Sequence, residues 1–106
     1  MDDNRIWLFD TTLRDGGQTR GVDFSQADKI AIAAALDEIG VDYIEGGWPG
    51  ANPTDDAFFA SPPQTRNARM VAFGMTRRGG RSAANDPGLN AVLDADVPAT
   101  CLVGKT

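Results

Sequence analysis

The sequence predicts an α/β protein whose parallel strands are strands 1 to 4, with three intervening helices, of a (β/α)8 TIM barrel. Three observations carry this expectation. Short apolar runs recur about every 30 residues with helical patterns between them, the rhythm of consecutive βα units. Polar residues collect just after those runs, and a barrel places its chemistry at the C-terminal ends of its strands. The turn after the first run, Arg14-Asp15-Gly16-Gly17-Gln18, is not the G-x-G-x-x-G of a doubly wound nucleotide-binding sheet, and its acidic side chain would repel phosphate.

The first strand is expected at Ile6-Trp7-Leu8-Phe9, ending in Asp10-Thr11-Thr12. Its continuous hydrophobicity suits a strand buried on both faces, as parallel strands are. A helix follows, with Ser25 as N-cap and Asp28 as its acidic capping-box partner. Ile32, Leu36 and Ile39 share one face at helical spacing, and Gly40 supplies the left-handed C′ position. The second strand is Val41-Asp42-Tyr43-Ile44-Glu45, stopped by Gly46-Gly47. Asn52-Pro53 reads as an N-cap followed by an N1 proline, with Asp55 and Asp56 in the first turn, where the helix dipole favours anions. Ala57, Phe58 and Phe59 continue that helix until Pro62-Pro63. The third strand is Met70 to Met75, Asp86-Pro87 opens a helix carrying Leu89, Val92 and Leu93, and Ala99 to Val103 form the fourth strand. No internal repeat, linker or low-complexity segment interrupts this order. A complete barrel needs about 250 residues. The 106 residues are therefore expected to be a truncated N-terminal part of one catalytic barrel domain, with open strand edges.

Composition narrows the functional classes. Apolar residues make up 42 % and charged residues 24 %, the balance of a globular domain, which argues against disorder. A net charge of −5 argues against a nucleic-acid surface and fits a solubility role. No run reaches the roughly 18 apolar residues of a membrane span. Met1-Asp2-Asp3-Asn4-Arg5 lacks the basic and apolar regions of a signal peptide. Cys101, the single cysteine, cannot form an internal disulfide, and a reducing cytoplasm is the expected compartment.

Three clusters hold candidate chemistry. In Asp10 to Gln18, Arg14 offers a fixed fork of donors for a carboxylate or a developing oxyanion, and Asp15 is an oxygen ligand suited to Mg²⁺ or Mn²⁺. The same residues also compose an ordinary charged turn. In Glu45-Gly46-Gly47-Trp48-Pro49-Gly50, the carboxylate ends an apolar strand. Inside a barrel mouth it would be fitted for proton transfer or substrate hydrogen bonding; outside it would be a solvated strand end. Trp48 is read as packing. Thr76-Arg77-Arg78-Gly79-Gly80-Arg81 is a basic loop that could meet a ligand's phosphate, though a solvated loop is the simpler reading. Gly104-Lys105-Thr106 fails the P-loop pattern, because the first glycine would fall at Ala99. Cys101 is expected to be a small buried strand residue, and no histidine exists to activate it.

Leu8-Phe9-Asp10-Thr11-Thr12-Leu13-Arg14-Asp15-Gly16 resembles the opening strand of the metal-dependent barrels that include isopropylmalate, homocitrate and citramalate synthases and hydroxymethylglutaryl-CoA lyase. Within that family, Tyr43 to Pro53 and Val71 to Arg78 resemble the citramalate synthases, as does the small residue Gly17. The resemblance implies a pyruvate carboxyltransferase-type catalytic domain. Its reaction would condense acetyl-CoA with pyruvate to (R)-citramalate for isoleucine synthesis, in a full-length parent that is a homodimer. It implies that Asp15 ligates a divalent metal, Mg²⁺ or Mn²⁺. Arg14 would stabilise the enolate or keto oxygen, Gln18 would line the substrate site, and Glu45 would orient substrate or handle a proton. An isopropylmalate or homocitrate synthase-like parent, or a non-catalytic piece acting by association, are the alternatives. The chain lacks histidine, so the family's His-x-His metal ligands are expected beyond Thr106, and the fragment alone is expected to be inactive.

Overall fold

Four strands, β1 (Phe9–Asp10), β2 (Tyr43–Gly47), β3 (Arg69–Met75) and β4 (Ala99–Val103), alternate with helices α1 (Gln26–Glu38), α2 (Pro53–Ala60) and α3 (Pro87–Asp94). The structure, a computed structural model, describes residues 5–76, 79–80 and 82–104. Every neighbouring pair of strands is parallel, and the sheet order is β1-β2-β3-β4. A doubly wound sheet reverses its order at a switch point. An unbroken order with a helix at each crossover is the connectivity of a barrel, so the expected partial TIM barrel is the fold observed.

The helices begin where local chemistry dictates. Ser25 Oγ accepts the Asp28 N–H at 3.1 Å, and the Asp28 carboxylate accepts the Ser25 N–H at 3.0 Å, closing a capping box. Gly40 follows α1 with φ 92°, a conformation cheap only for glycine. Asn52 Oδ1 accepts the Asp55 N–H at 2.8 Å ahead of Pro53. Asp86 does the same for α3, accepting the Gly88 N–H at 2.8 Å.

The sheet has two unlike faces. Ile44, Met70 and Ala72 join Ala33, Phe58, Phe59 and Val92 in the core beneath the helices. On the other face, which would line a barrel, lie Phe9, Tyr43, Glu45, Val71, Phe73 and Cys101, placed there by register and by alternation along each strand. The Phe9 and Tyr43 rings lie 6.0 Å apart on this face, and Trp7 is 6.2 Å from Tyr43.

Several expectations fail for identifiable reasons. The run Ile6 to Phe9 is not buried: these side chains are between 47 % and 80 % exposed, and β1 has only two residues. It is an edge strand paired on one side alone. The second strand runs Tyr43–Gly47 rather than Val41 to Glu45, and the two glycines continue it instead of ending it. Ile39 and Leu93 are exposed, while α1 buries Lys29, Ala33 and Asp37. That inward face carries charge because both charged side chains find partners. Lys29 pairs with Asp55, and Asp37 accepts the N–H groups of Arg66, Asn67 and Ala68 at 2.7–2.9 Å. Cys101 is half-buried rather than buried. No helix among the described residues is long and apolar enough to cross a membrane.

Candidate active site

The site begins with the turn that ends β1. The Asp10 carboxylate accepts the Thr12 N–H at 2.8 Å and its hydroxyl at 3.1 Å. The Thr11 carbonyl accepts from the N–H groups of Arg14, Asp15 and Gly16 at 2.8–3.2 Å. Leu13, 2 % exposed, anchors this turn in the core. The folded turn sends the Arg14 side chain to β2, where Nε donates to Glu45 Oε1 at 2.5 Å. Glu45, in the middle of β2, is 1 % exposed, so the pair is a charge-assisted hydrogen bond and not a solvated ion pair. The Arg14 guanidinium carbon also lies 4.1 Å from the centre of the Phe73 ring. Glu45 is aimed by an irregularity: Glu45 pairs with Val71 but Gly47 pairs with Ala72, so β2 carries one extra residue there. Bulges of this kind re-aim side chains at barrel rims.

The expected site residues are only partly brought together. Arg14 and Glu45 are in direct contact. Asp15 is next to them but turned outward, 69 % exposed at its side chain, with Oδ1 3.9 Å from Arg14 Nη1. Gln18 is exposed and lines, with Arg14, Lys29, Asn52 and Asp55, a cleft of about 230 Å³. A larger cleft of about 970 Å³ opens beyond β2, β3 and β4, bounded by Trp48, Met75, Thr76, Asp86 and Val103. Among the described residues no three His, Cys, Asp or Glu side chains gather to hold a metal. Asp15 therefore fits a hard divalent cation as one oxygen ligand and does not complete a site. Burial, and then the nearby Glu45 charge, push the Cys101 thiol above its ordinary range, which keeps it protonated and unsuited to nucleophilic attack. The basic loop rests on Arg77, Arg78 and Arg81, and the failed P-loop on Lys105 and Thr106; these lie outside the described residues.

Sequence reasoning missed two groups beside this site. Phe73, given no role beyond its place in the third strand, is the surface under Arg14. Lys29 and Asp55 form a buried ion pair, and Asp55 Oδ2 also accepts the Trp48 N–H at 2.9 Å. Gly47 permits that approach: a Cβ there would lie 2.7 Å from the Asp55 carboxyl carbon and 2.8 Å from the Lys29 ammonium. The available signal was Lys29 at position i−4 from Ala33 and i−8 from Asp37, one helical stripe.

The profile of the HMGL-like family matches residues 5–92. The chain belongs to the HMGL-like family. Its resemblance to the citramalate synthases is equally plain. The (R)-citramalate synthase of Streptomyces coelicolor is 50 % identical to it over 98 % of this chain and 20 % of that protein. The (R)-citramalate synthase of Sulfolobus acidocaldarius is 50 % identical over 95 % of this chain and 20 % of its own length. A 2-isopropylmalate synthase of Campylobacter concisus is 49 % identical but covers 69 % of this chain and 15 % of that protein. This HMGL-like chain spans about a fifth of the length of the (R)-citramalate synthases it matches.

Proposed function

We propose that the protein carrying this chain condenses acetyl-CoA with pyruvate to (R)-citramalate, serving isoleucine synthesis in the cytoplasm as a homodimer. The observation that carries this reading is the buried Arg14–Glu45 pair, where the turn after β1 meets β2, in a chain half identical to (R)-citramalate synthases over nearly all its length. In the condensation the acetyl methyl gives up a proton, and its carbon bonds to the keto carbon of pyruvate. The keto oxygen takes up a proton and becomes the hydroxyl. Water then splits the thioester, releasing the CoA thiol, a proton and the new carboxylate.

Arg14 supplies donors to the oxygen on which negative charge builds, either the enolate or the keto oxygen. Glu45 holds the Arg14 fork through Nε and leaves the Nη amines for that oxygen. In this reading Glu45 also orients substrate or handles a proton. Gln18, which shares a cleft with Arg14, lines the substrate site in this reading. A bound Mg²⁺ or Mn²⁺, with Asp15 as one ligand, would polarise the keto oxygen as a Lewis acid.

The test is thiol release from acetyl-CoA by the intact gene product, with Mg²⁺ or Mn²⁺ and a panel of 2-keto acids. Pyruvate is expected to be the preferred acceptor. Preference for a branched keto acid would move the reading to isopropylmalate synthesis, and absence of release with every keto acid would overturn it. The 106-residue chain alone is expected to release no thiol, since among the described residues Asp15 is not joined by further ligands that would complete a metal site.

A further inference from the structure

The orientation of Arg14 depends on more than Glu45. Its guanidinium is packed flat enough against Phe73 to bring Cζ within 4.1 Å of the ring centre, and Phe73 is itself 4 % exposed. The Trp48 ring meets Phe73 edge-on, with centroids 5.0 Å apart and planes at 69°. Trp48 is in turn held by its backbone, through the bond from its N–H to Asp55, which is ion-paired to the buried Lys29. A continuous set of contacts thus runs from α1 through the loop after β2 to the underside of the arginine. Among the described residues the Nη amines of Arg14 donate no hydrogen bond, and Nη1 is 3.9 Å from Asp15. One hydrogen bond through Nε leaves the fork free to rotate about that contact. A ring pressed against its face removes that freedom.

We propose that Phe73, backed by Trp48, is a positioning residue that sets the plane of the Arg14 guanidinium and so aims its free amines. The inference rests on the role proposed above for Arg14. A misplacement of about 1 Å at a reacting group costs on the order of a hundredfold in rate. Phe73→Leu keeps an apolar side chain but removes the flat, electron-rich face. It should lower kcat roughly ten- to a hundredfold while changing the KM for the keto acid by less than about threefold. Phe73→Tyr keeps the ring and should restore most of the rate. If Phe73→Leu does not fold, Phe73→Met provides the same comparison with a larger flexible side chain.

A second readout does not need turnover. In the intact gene product labelled with ¹⁵N-arginine, the Arg14 Nε–H signal is identified by its loss in Arg14→Lys. Its exchange with solvent should be slow in the wild type and in Phe73→Tyr, and faster in Phe73→Leu or Phe73→Met. Equal exchange and equal kcat in all four proteins would overturn the proposal. So would a Phe73→Tyr variant as impaired as Phe73→Leu. If the wild type condenses no keto acid, the functional reading fails, and the exchange measurement alone still decides whether Phe73 orients Arg14.

Discussion

Arg14, Asp15 and Glu45 are close in space but are asked to do separable things, and single substitutions should separate them. Asp15→Asn keeps an oxygen but loses the charge that holds a hard cation, so calorimetric titration with Mn²⁺ should show weakened binding in the intact protein. Arg14→Lys should leave that titration nearly unchanged and lower kcat by about 10²–10³, because lysine keeps the charge without the planar fork. Glu45→Gln should change kcat or substrate affinity with the metal still bound, since it removes the anion that faces Arg14 in a buried setting. Wild-type metal affinity and rate in Asp15→Asn would return that residue to an exposed turn. The sequence placed Arg14 just after the first strand, which follows from its hydrophobic run, and Glu45 at the end of the second, whereas β2 continues two residues past Glu45. Their contact was not legible, because it joins positions 31 residues apart and exists only once β1 and β2 are paired in register. Phe73 was hidden for a related reason: an aromatic residue in an apolar strand looks the same whether it fills a core or supports a cation.

Among the elements, the helix starts were the most legible features. Ser25 and Asp28, Asn52 and Pro53, and Asp86 and Pro87 lie within three residues of one another, so their bonds can be read directly from the chain. The opposite end of α1 was not legible, because Asp37 caps no helix. It reaches across to the segment before β3 and accepts the N–H groups of Arg66, Asn67 and Ala68. Those bonds, Arg66 and Ala68 foremost, hold its carboxyl below the usual range against the opposing effect of burial. A depressed carboxylate contributes stability that is complete above its unfolded pKa and is lost as pH falls through the lower folded value. Hydrogen-exchange protection at the three amides should therefore be flat near neutrality and decline under acid conditions. Asp37→Asn should lower that protection at neutral pH too, because an amide nitrogen replaces one of the accepting oxygens. Unchanged protection in the variant would show that the segment is held by other contacts. The paired glycines after Glu45 mark the other limit of local reading. Gly46-Gly47 looked like a strand stop, whereas β2 continues through them with a bulge, because Gly47 has to admit the Asp55 and Lys29 side chains.

At the scale of the whole molecule the four-stranded order places β1 and β4 at opposite edges, each paired on one side only. Parallel edge strands present unpaired N–H and C=O groups to any neighbouring chain. The face that would line a barrel adds apolar surface, since Trp7 and Phe9 are exposed there beside the half-buried Tyr43. The helix-covered side, by contrast, is closed by Ile44, Phe58, Met70 and Val92. One face is therefore satisfied and the other is not, a combination that favours association over unfolding. Expressed as these 106 residues, the chain should form oligomers or aggregates. Size-exclusion chromatography with light scattering over a dilution series reads this directly. The charge of −5 opposes association, so added salt should shift the distribution toward larger species. A monodisperse monomer at every concentration, unfolding in one cooperative denaturant transition, would show that the helix-covered core suffices and that the open face needs no partner.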